Sequence, residues 1–378
     1  MENIIQKAIA SNSTVIILDR LKLDNLTDVL NKLHDVENLE ELILKQNNFS
    51  GTLNLEDFNK FPNLNSLDIS YNSFTKVIGK TNLEKLVISN NNIKEQNIES
   101  DSLQKLDISE NSLFTTDFSK LKNCIYLCCS RNNLTRIPKL PEIMTLKISH
   151  NLITNITDLP IYIKYLDCSN NKLNNFSAKI HNCKYFDVSF NLLKELSLNC
   201  SNILKCLNVS FNELVKFKIP SSVEIFQGTN NMLNEIIFDG IELISVNLTD
   251  NKLTAKPKFK VRHNITLNGN PIQKTDEERF PGHGYTLSHG SAMQITPMAL
   301  PPPPSYNHNV PHNNHITYNH NVPHNNHITY NHNVPHNNHT AYNLHQKPPD
   351  YKPMFSTGRY SKLNPNYVVL DMSKVVTI

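Results

Sequence analysis

The sequence predicts an α/β-type solenoid: short parallel strands stacked coil upon coil, one continuous concave β-sheet, and a mostly non-helical convex side. Three observations predict it. Apolar residues recur at places one, four, six and eleven of a unit of about 20 residues, from Leu39 onward. An asparagine stands at place nine of every unit, from Asn47 and Asn72 through to Asn251 and Asn270. Between these markers the inward places four and six alternate with polar places five and seven, which is the period of a strand with one buried face.

The stretch Leu103-Gln-Lys-Leu-Asp-Ile-Ser-Glu-Asn-Ser-Leu113 shows the unit plainly. Leu106 and Ile108 point inward, Asp107 and Ser109 outward, and the amide of Asn111 can bond the backbone groups that a bend leaves unpaired. Units begin at Leu39, Leu64, Leu83, Leu103, Cys124, Ile143, Ile163, Cys183, Leu204, Val223, Leu243 and Arg262. An asparagine buried without partners is costly. Twelve of them at one place therefore predict a hydrogen-bonded ladder, and a structural role rather than a ligand-binding one. One coil cannot bury its own apolar face, so the units must lean on one another.

Residues 1–38 read as an N-terminal cap ahead of the solenoid at 39–272. Leu26, Leu30 and Leu33 have helical spacing behind Asn25 and Thr27, which can cap a helix start. Ile16, Leu18 and Leu23 form a degenerate first repeat that lacks the turn asparagine. The long second step leaves Leu55 to Phe61 free for a short helix. Elsewhere the convex segments are too short or too rich in proline to be helical, as in Thr135-Arg-Ile-Pro-Lys-Leu-Pro-Glu142. Ile137, Ile156, Phe176, Leu196, Phe217 and Ile236 recur behind the core and predict a second apolar layer.

A net charge of +3 in 378 residues gives no reason to expect nucleic acid as a partner. Met1-Glu-Asn-Ile-Ile-Gln-Lys does not read as a secretory signal, and no run of 18 apolar residues predicts a membrane span. The seven cysteines are odd in number, and Cys124, Cys129, Cys168 and Cys183 fall at core places as small hydrophobes. A reducing, cytoplasmic setting is the expectation. Cys124, Cys128 and Cys129 lie close in sequence, but inward places leave little room for a metal, so neither metal nor cofactor is expected.

Strands of the type Leu-Asp-Ile-Ser, Leu-Asp-Cys-Ser and Leu-Asn-Val-Ser in short units resemble the leucine-rich repeat superfamily. The proline-containing units are similar to those of bacterial secreted effectors. The Asn/Lys/Ile-rich style is similar to leucine-rich repeat proteins of amoebae and their giant viruses. The resemblance covers residues 39–272 and implies a horseshoe that recognises proteins through its concave sheet. Some bacterial effectors append a ubiquitin-ligase domain with a catalytic cysteine. The last cysteine here is Cys206, so no such domain is expected.

Places three, five, seven and eight face outward on the concave side. Place seven is serine or threonine from Ser70 to Thr249, a monotony that points to structure. The middle repeats carry Tyr126, Tyr165, Tyr185, Phe190 and Phe211 on this face, with Lys164, Lys184 and Lys205 in a column beside them and Asp167 and Asp187 in another. Neighbouring strands lie about 4.8 Å apart, so rings on successive coils can touch. Exposed aromatics among charges have the composition of a binding hot spot. The plainer reading is stacking that stabilises the sheet.

Residues 273–300 read as a linker and 301–378 as a disordered Pro/His/Asn-rich tail with a 12-residue repeat starting at Tyr306, Tyr318 and Tyr330. Pro303-Pro304-Ser-Tyr306 and Pro348-Pro349-Asp-Tyr351 resemble the PPxY ligands of WW domains. Consecutive prolines pre-form a polyproline II helix, and two motifs in one tail permit bivalent capture. Tandem WW domains commonly sit on ubiquitin ligases, so the resemblance implies an adaptor. The repeat histidines lack the fixed geometry and partner ligands of a metal site. No nucleophile–base constellation stands out. The expectation is a non-enzymatic binding protein, with a structural or decoy module and an inert spacer tail as the alternative.

Overall fold

The computed structural model describes residues 1–273 other than 199 and 201. The tail with both PPxY motifs, and all but the first residue of the linker, lie outside the described residues.

Thirteen parallel strands form one sheet in chain order. They are β1 (Val15–Ile17), β2 (Glu41–Ile43), β3 (Ser66–Asp68), β4 (Lys85–Val87), β5 (Lys105–Asp107), β6 (Tyr126–Cys128) and β7 (Thr145–Lys147). Then come β8 (Tyr165–Asp167), β9 (Tyr185–Asp187), β10 (Cys206–Asn208), β11 (Ile225–Gln227), β12 (Leu243–Asn247) and β13 (Val261–Thr266). Most hold only places three to five of the unit, because place six already begins the bend. The register keeps like places together: Leu106 faces Leu127, which faces Leu146, which faces Leu166. These inward files join places one, six and eleven in a single buried core running through the coils.

The asparagine ladder holds the bends. Nδ2 of Asn132 donates to the carbonyls of Cys129 (3.1 Å) and Ser130 (3.3 Å) in its own coil and Ile108 (3.1 Å) in the coil before. Its Oδ1 accepts the backbone N–H of Leu113 at 2.9 Å. The same pattern repeats from Asn47 to Asn270. One side chain thus ties two coils together and pairs backbone groups that would otherwise be buried unbonded.

The residue just before each asparagine, at place eight, is left-handed. Gln46, Tyr71, Asn90, Glu110, Arg131, His150, Asn170, Phe190, Phe211, Asn230 and Asp250 all have φ between 53° and 56°. Asn and Asp suit this region, whereas larger side chains are strained there by about 1–2 kcal/mol.

Two helices stand before the first full repeat. α1 (Glu2–Ala10) buries Ile5 and Ala8, and α2 (Leu26–Lys32) buries Val29 and Leu30. The Asn25 side chain caps α2 by accepting the Asp28 N–H at 3.1 Å. Sequence reading anticipated α2 but not α1. The degenerate first repeat is in register: β1 pairs β2, Ile16 and Leu18 are buried, and Asn47 donates to the Leu18 carbonyl at 2.8 Å. Leu21 occupies the place of the missing asparagine.

On the convex side, Leu55–Phe58 is a single 3₁₀ turn. The remaining segments are extended, and some pair into small parallel sheets that the sequence did not announce. One joins Ser50–Asn54, Ser73–Lys80 and Glu95–Glu99, and another joins Lys216–Ile219 with Glu235–Phe238. Ile156, Phe176, Leu196 and Phe217 are buried as the second layer, with Ile137 and Ile236 half-buried against it.

Arg262 needs a correction. The repeat register puts it at an inward place, but it is exposed and bonds Glu242, Nη2 to Oε2 at 2.8 Å. A bulge between Leu243 and Ser245 sets Val261 opposite Leu243 instead. A guanidinium cannot be buried unpaired, so the ladder slips by one residue and the charge stays in water.

Candidate functional site

The parallel register fixes what each concave side chain meets. Tyr165 on β8 and Tyr185 on β9 face one another at place three, and their rings stack at 4.3 Å between centroids and 3° between planes. Tyr126 on β6 stands apart from them, because β7 intervenes and carries Thr145 at place three. Lys147 fills that gap from place five, its Nζ 5.8 Å from the Tyr126 centroid and 5.4 Å from the Tyr165 centroid. Lys105, on the other side, has its Nζ 4.8 Å from the Tyr126 ring. The result is a file of cation–π contacts, each worth about 0.5–2 kcal/mol depending on its desolvation.

Phe190 and Phe211 form a second stack at 4.1 Å and 9°. They occupy place eight, five residues further along the coil than the tyrosines. The aromatic row read from sequence therefore resolves into two separate stacks, one at each end of the strands. Leu192, Val215 and Met232, at places ten and twelve of the same run of coils, are also exposed. Sequence reasoning passed over these three; the signal was an apolar residue at a place that other repeats fill with polar ones.

Lys164, Lys184 and Lys205 share place two, and of the three Lys205 is held by a carboxylate, that of Glu224, Nζ to Oε1 at 2.6 Å. Lys105 and Lys147 were missed because the two lie far apart in sequence and only the register brings them to one ring.

Asp167 and Asp187 serve the fold. Ser169 donates its Oγ (2.7 Å) and its N–H (3.1 Å) to Asp167 Oδ1. Ser189 does the same to Asp187 at 2.6 and 2.8 Å, and Asn208 Nδ2 reaches Asp187 Oδ2 at 3.3 Å. Where place five is Asp it caps the turn at place seven, as again in Asp68 with Ser70 and Asp107 with Ser109. Asp187 is 4% exposed, and burial, with Asp167 alongside, pushes its pKa up to about 7.

Burial also raises the hydroxyls of Tyr126, Tyr165 and Tyr185 above their ordinary values, so all three are neutral. Cys128, at place five, has its thiol pushed up to about 12 by burial and by Asp107. Cys206, beside Tyr185 at place three, is also raised by burial. Neither thiol is a nucleophile at neutral pH. Among the described residues, no group of three or more His, Cys, Asp or Glu could hold a metal ion, and no helix is long and apolar enough to cross a membrane.

No family model matches the chain. Over 145 residues, 37% of its length, it is 32% identical to the leucine-rich repeat protein R380 of Acanthamoeba polyphaga mimivirus, and the match spans 29% of that relative. Over 268 residues, 65% of its length, it is 26% identical to lumican of Bos taurus, covering 77% of it. Among solved structures, the leucine-rich repeat domain of APL1B aligns with a TM-score of 0.55 at 19% identity, covering 70% of this chain and 85% of that one. Register, side-chain ladder and backbone likeness agree, and the chain takes the leucine-rich repeat fold.

Proposed function

We propose that this protein is a non-catalytic binding module whose concave side takes a protein partner and whose tail recruits a second. One observation carries the first half. Phe190 and Phe211 stack at adjacent left-handed positions while remaining 36% and 41% exposed. Phenylalanine is poorly suited to that backbone region, and the neighbouring coils use Asn170 and Asn230 there. An exposed aromatic pair, stacked at a place where the coils on either side carry asparagine, suits a contact made with something else. The tyrosine stack, which shares the Cys183 coil with this pair, adds a second anchor.

The tail half of the reading rests on Pro303, Pro304 and Tyr306, and on Pro348, Pro349 and Tyr351, as paired ligands for a WW-domain protein such as a ubiquitin ligase. A second reading takes the rings as sheet stabilisers and the tail as a spacer. The half-burial of Tyr165 and Tyr185 favours it for that pair.

Affinity purification separates the two. The full chain is compared with a Tyr165→Ser, Tyr185→Ser, Phe211→Ser variant whose fold is verified by circular dichroism. Loss of partner recovery supports the binding reading, and unchanged recovery ends it. Pull-down on an isolated WW domain, with Tyr306→Ala plus Tyr351→Ala against the parent, tests the tail in the same way.

A further inference from the structure

The concave lysines fall into two classes. Lys45, Lys85 and Lys205 meet carboxylates: Asp68 at 3.2 Å, Glu41 at 3.5 Å and Glu224 at 2.6 Å. Lys105, Lys147, Lys164 and Lys184 have no ion-pair partner among the described residues. They cluster across β5 to β9, around the tyrosine file.

The ammonium charges of this cluster go unneutralised in the free fold. Register sets Lys85 directly opposite Lys105 at place three, and like charges so placed repel. Burial, Lys85 and Lys147 together push the Lys105 ammonium below the ordinary lysine range, against a weaker pull from Asp107. Asp107 is itself engaged by Ser109, Oγ at 2.6 Å and N–H at 3.0 Å, and the other two nearby carboxylates are bonded to their own serines. A repulsion built into a folded sheet is relieved by an incoming anion.

We propose that the concave face from Lys105 to Lys184 takes an acidic peptide in extended form, its carboxylates on Lys105, Lys147, Lys164 and Lys184 and its backbone over the rings of Tyr126 and Tyr165. This deepens the binding reading above and rests on it. Crossing four strand steps of about 4.8 Å needs roughly 19 Å, or about six residues at 3.3 Å each. The lysines are not contiguous: Asp107, Asp167 and Asp187 lie between them at place five. An extended peptide presents only every second side chain to a surface and can turn the others away from those carboxylates, whereas the phosphates of a nucleic acid are fixed in its backbone.

The test uses the full chain and fluorescence anisotropy with labelled hexaglutamate, hexalysine and a six-nucleotide oligothymidylate. Hexaglutamate is expected to bind, to weaken as salt screens the contact, and to lose about tenfold in affinity in a Lys105→Gln, Lys147→Gln variant. That variant gives up the Lys105 and Lys147 cation–π contacts along with the repulsion, so its fold is verified by circular dichroism and a cooperative thermal melt, which separates lost binding from lost folding. Hexalysine binding as tightly as hexaglutamate, an unchanged affinity in the variant, or tighter binding of the oligothymidylate would each overturn the proposal. A partner lost in the Tyr165→Ser, Tyr185→Ser, Phe211→Ser variant but retained in the Lys→Gln variant would overturn the acidic peptide while leaving the binding reading intact.

Discussion

Asn151 Oδ1 accepts the backbone N–H of Leu134, one coil earlier, at 2.9 Å. Its Nδ2 meanwhile donates to the carbonyls of Ile148 (3.0 Å), Ser149 (3.2 Å) and, across the coil boundary, Cys129 (3.1 Å). The cohesion between coils runs through such pairs as much as through the apolar core.

Asn151→Ala is therefore expected to cost about 3 kcal/mol or more, since it leaves several buried backbone groups unbonded at about 1–3 kcal/mol each. Asn151→Asp is expected to cost at least as much, because a carboxylate accepts the Leu134 N–H but donates nothing to the carbonyls and brings an unpaired charge inside. Asn270→Ala, at the less buried last coil, serves as the comparison and costs less. Urea denaturation of the three variants measures this. A loss below about 1 kcal/mol for Asn151→Ala would refute the ladder as a source of stability.

Asp187 makes stability depend on pH. Its folded pKa of about 7 lies above the ordinary value of 3.8, so the folded state holds this proton more tightly than the unfolded chain does. The stability this contributes is complete below about pH 4, falls as pH rises, and is gone above about pH 7. Asp187→Asn is expected to be more stable than the parent at pH 8 by on the order of 4 kcal/mol and nearly equal to it at pH 4. Asn208 and Asn247 already accept the equivalent N–H at the same place, from Ser210 at 3.0 Å and Thr249 at 3.1 Å, so the substitution has local precedent. Urea midpoints from pH 4 to 8 check it; a parallel pH dependence in parent and variant would contradict it.

The left-handed place eight offers a gain in stability. Glu110 has φ 53°, is half-buried, and lies with Oε1 3.6 Å from Arg131 Nε. Glu110→Asn is expected to stabilise by about 1 kcal/mol, the strain released less the part-exposed ion pair with Arg131. A thermal melt that falls instead would mean the ion pair outweighs the backbone term.

The repeat register, the asparagine ladder and the buried cysteines were legible because one physical requirement is written a dozen times, and chance does not repeat in phase. Conformation at place eight was not legible. Tyr71, Glu110 and Phe211 are not left-handed formers, and the bend, not the residue, imposes the angle. α1 escaped because nine residues carrying only Ile5 and Ala8 as buried anchors give a weak period. The slip at Arg262 came from a rigid count meeting a charge that cannot go inside. The concave site was half legible: the rings could be placed on a face, but Lys147 reaches Tyr126 and Tyr165 only through pairing of strands about 20 residues apart.

Gly228 tests how the core adapts when a repeat breaks its own rule. Place six is aliphatic or cysteine in the other coils, yet here it has no side chain. The Phe226 ring at place four lies over the position: a Cβ on Gly228 would lie 2.7 Å from Phe226 Cε1 and 3.3 Å from Leu248 Cδ2. The Phe226 ring lies 5.6 Å from Phe217 in the second layer and fills the space that place six leaves. Gly228→Val alone is expected to cost about 1–3 kcal/mol through overpacking. Phe226→Leu alone is expected to cost about 1–2 kcal/mol through the void it opens. Each change supplies what the other lacks, so the double variant is expected to be more stable than either single one, with a coupling of at least about 1 kcal/mol. Urea denaturation of the full cycle decides the matter. Strict additivity would mean that Phe226 does not occupy the volume that Gly228 gives up.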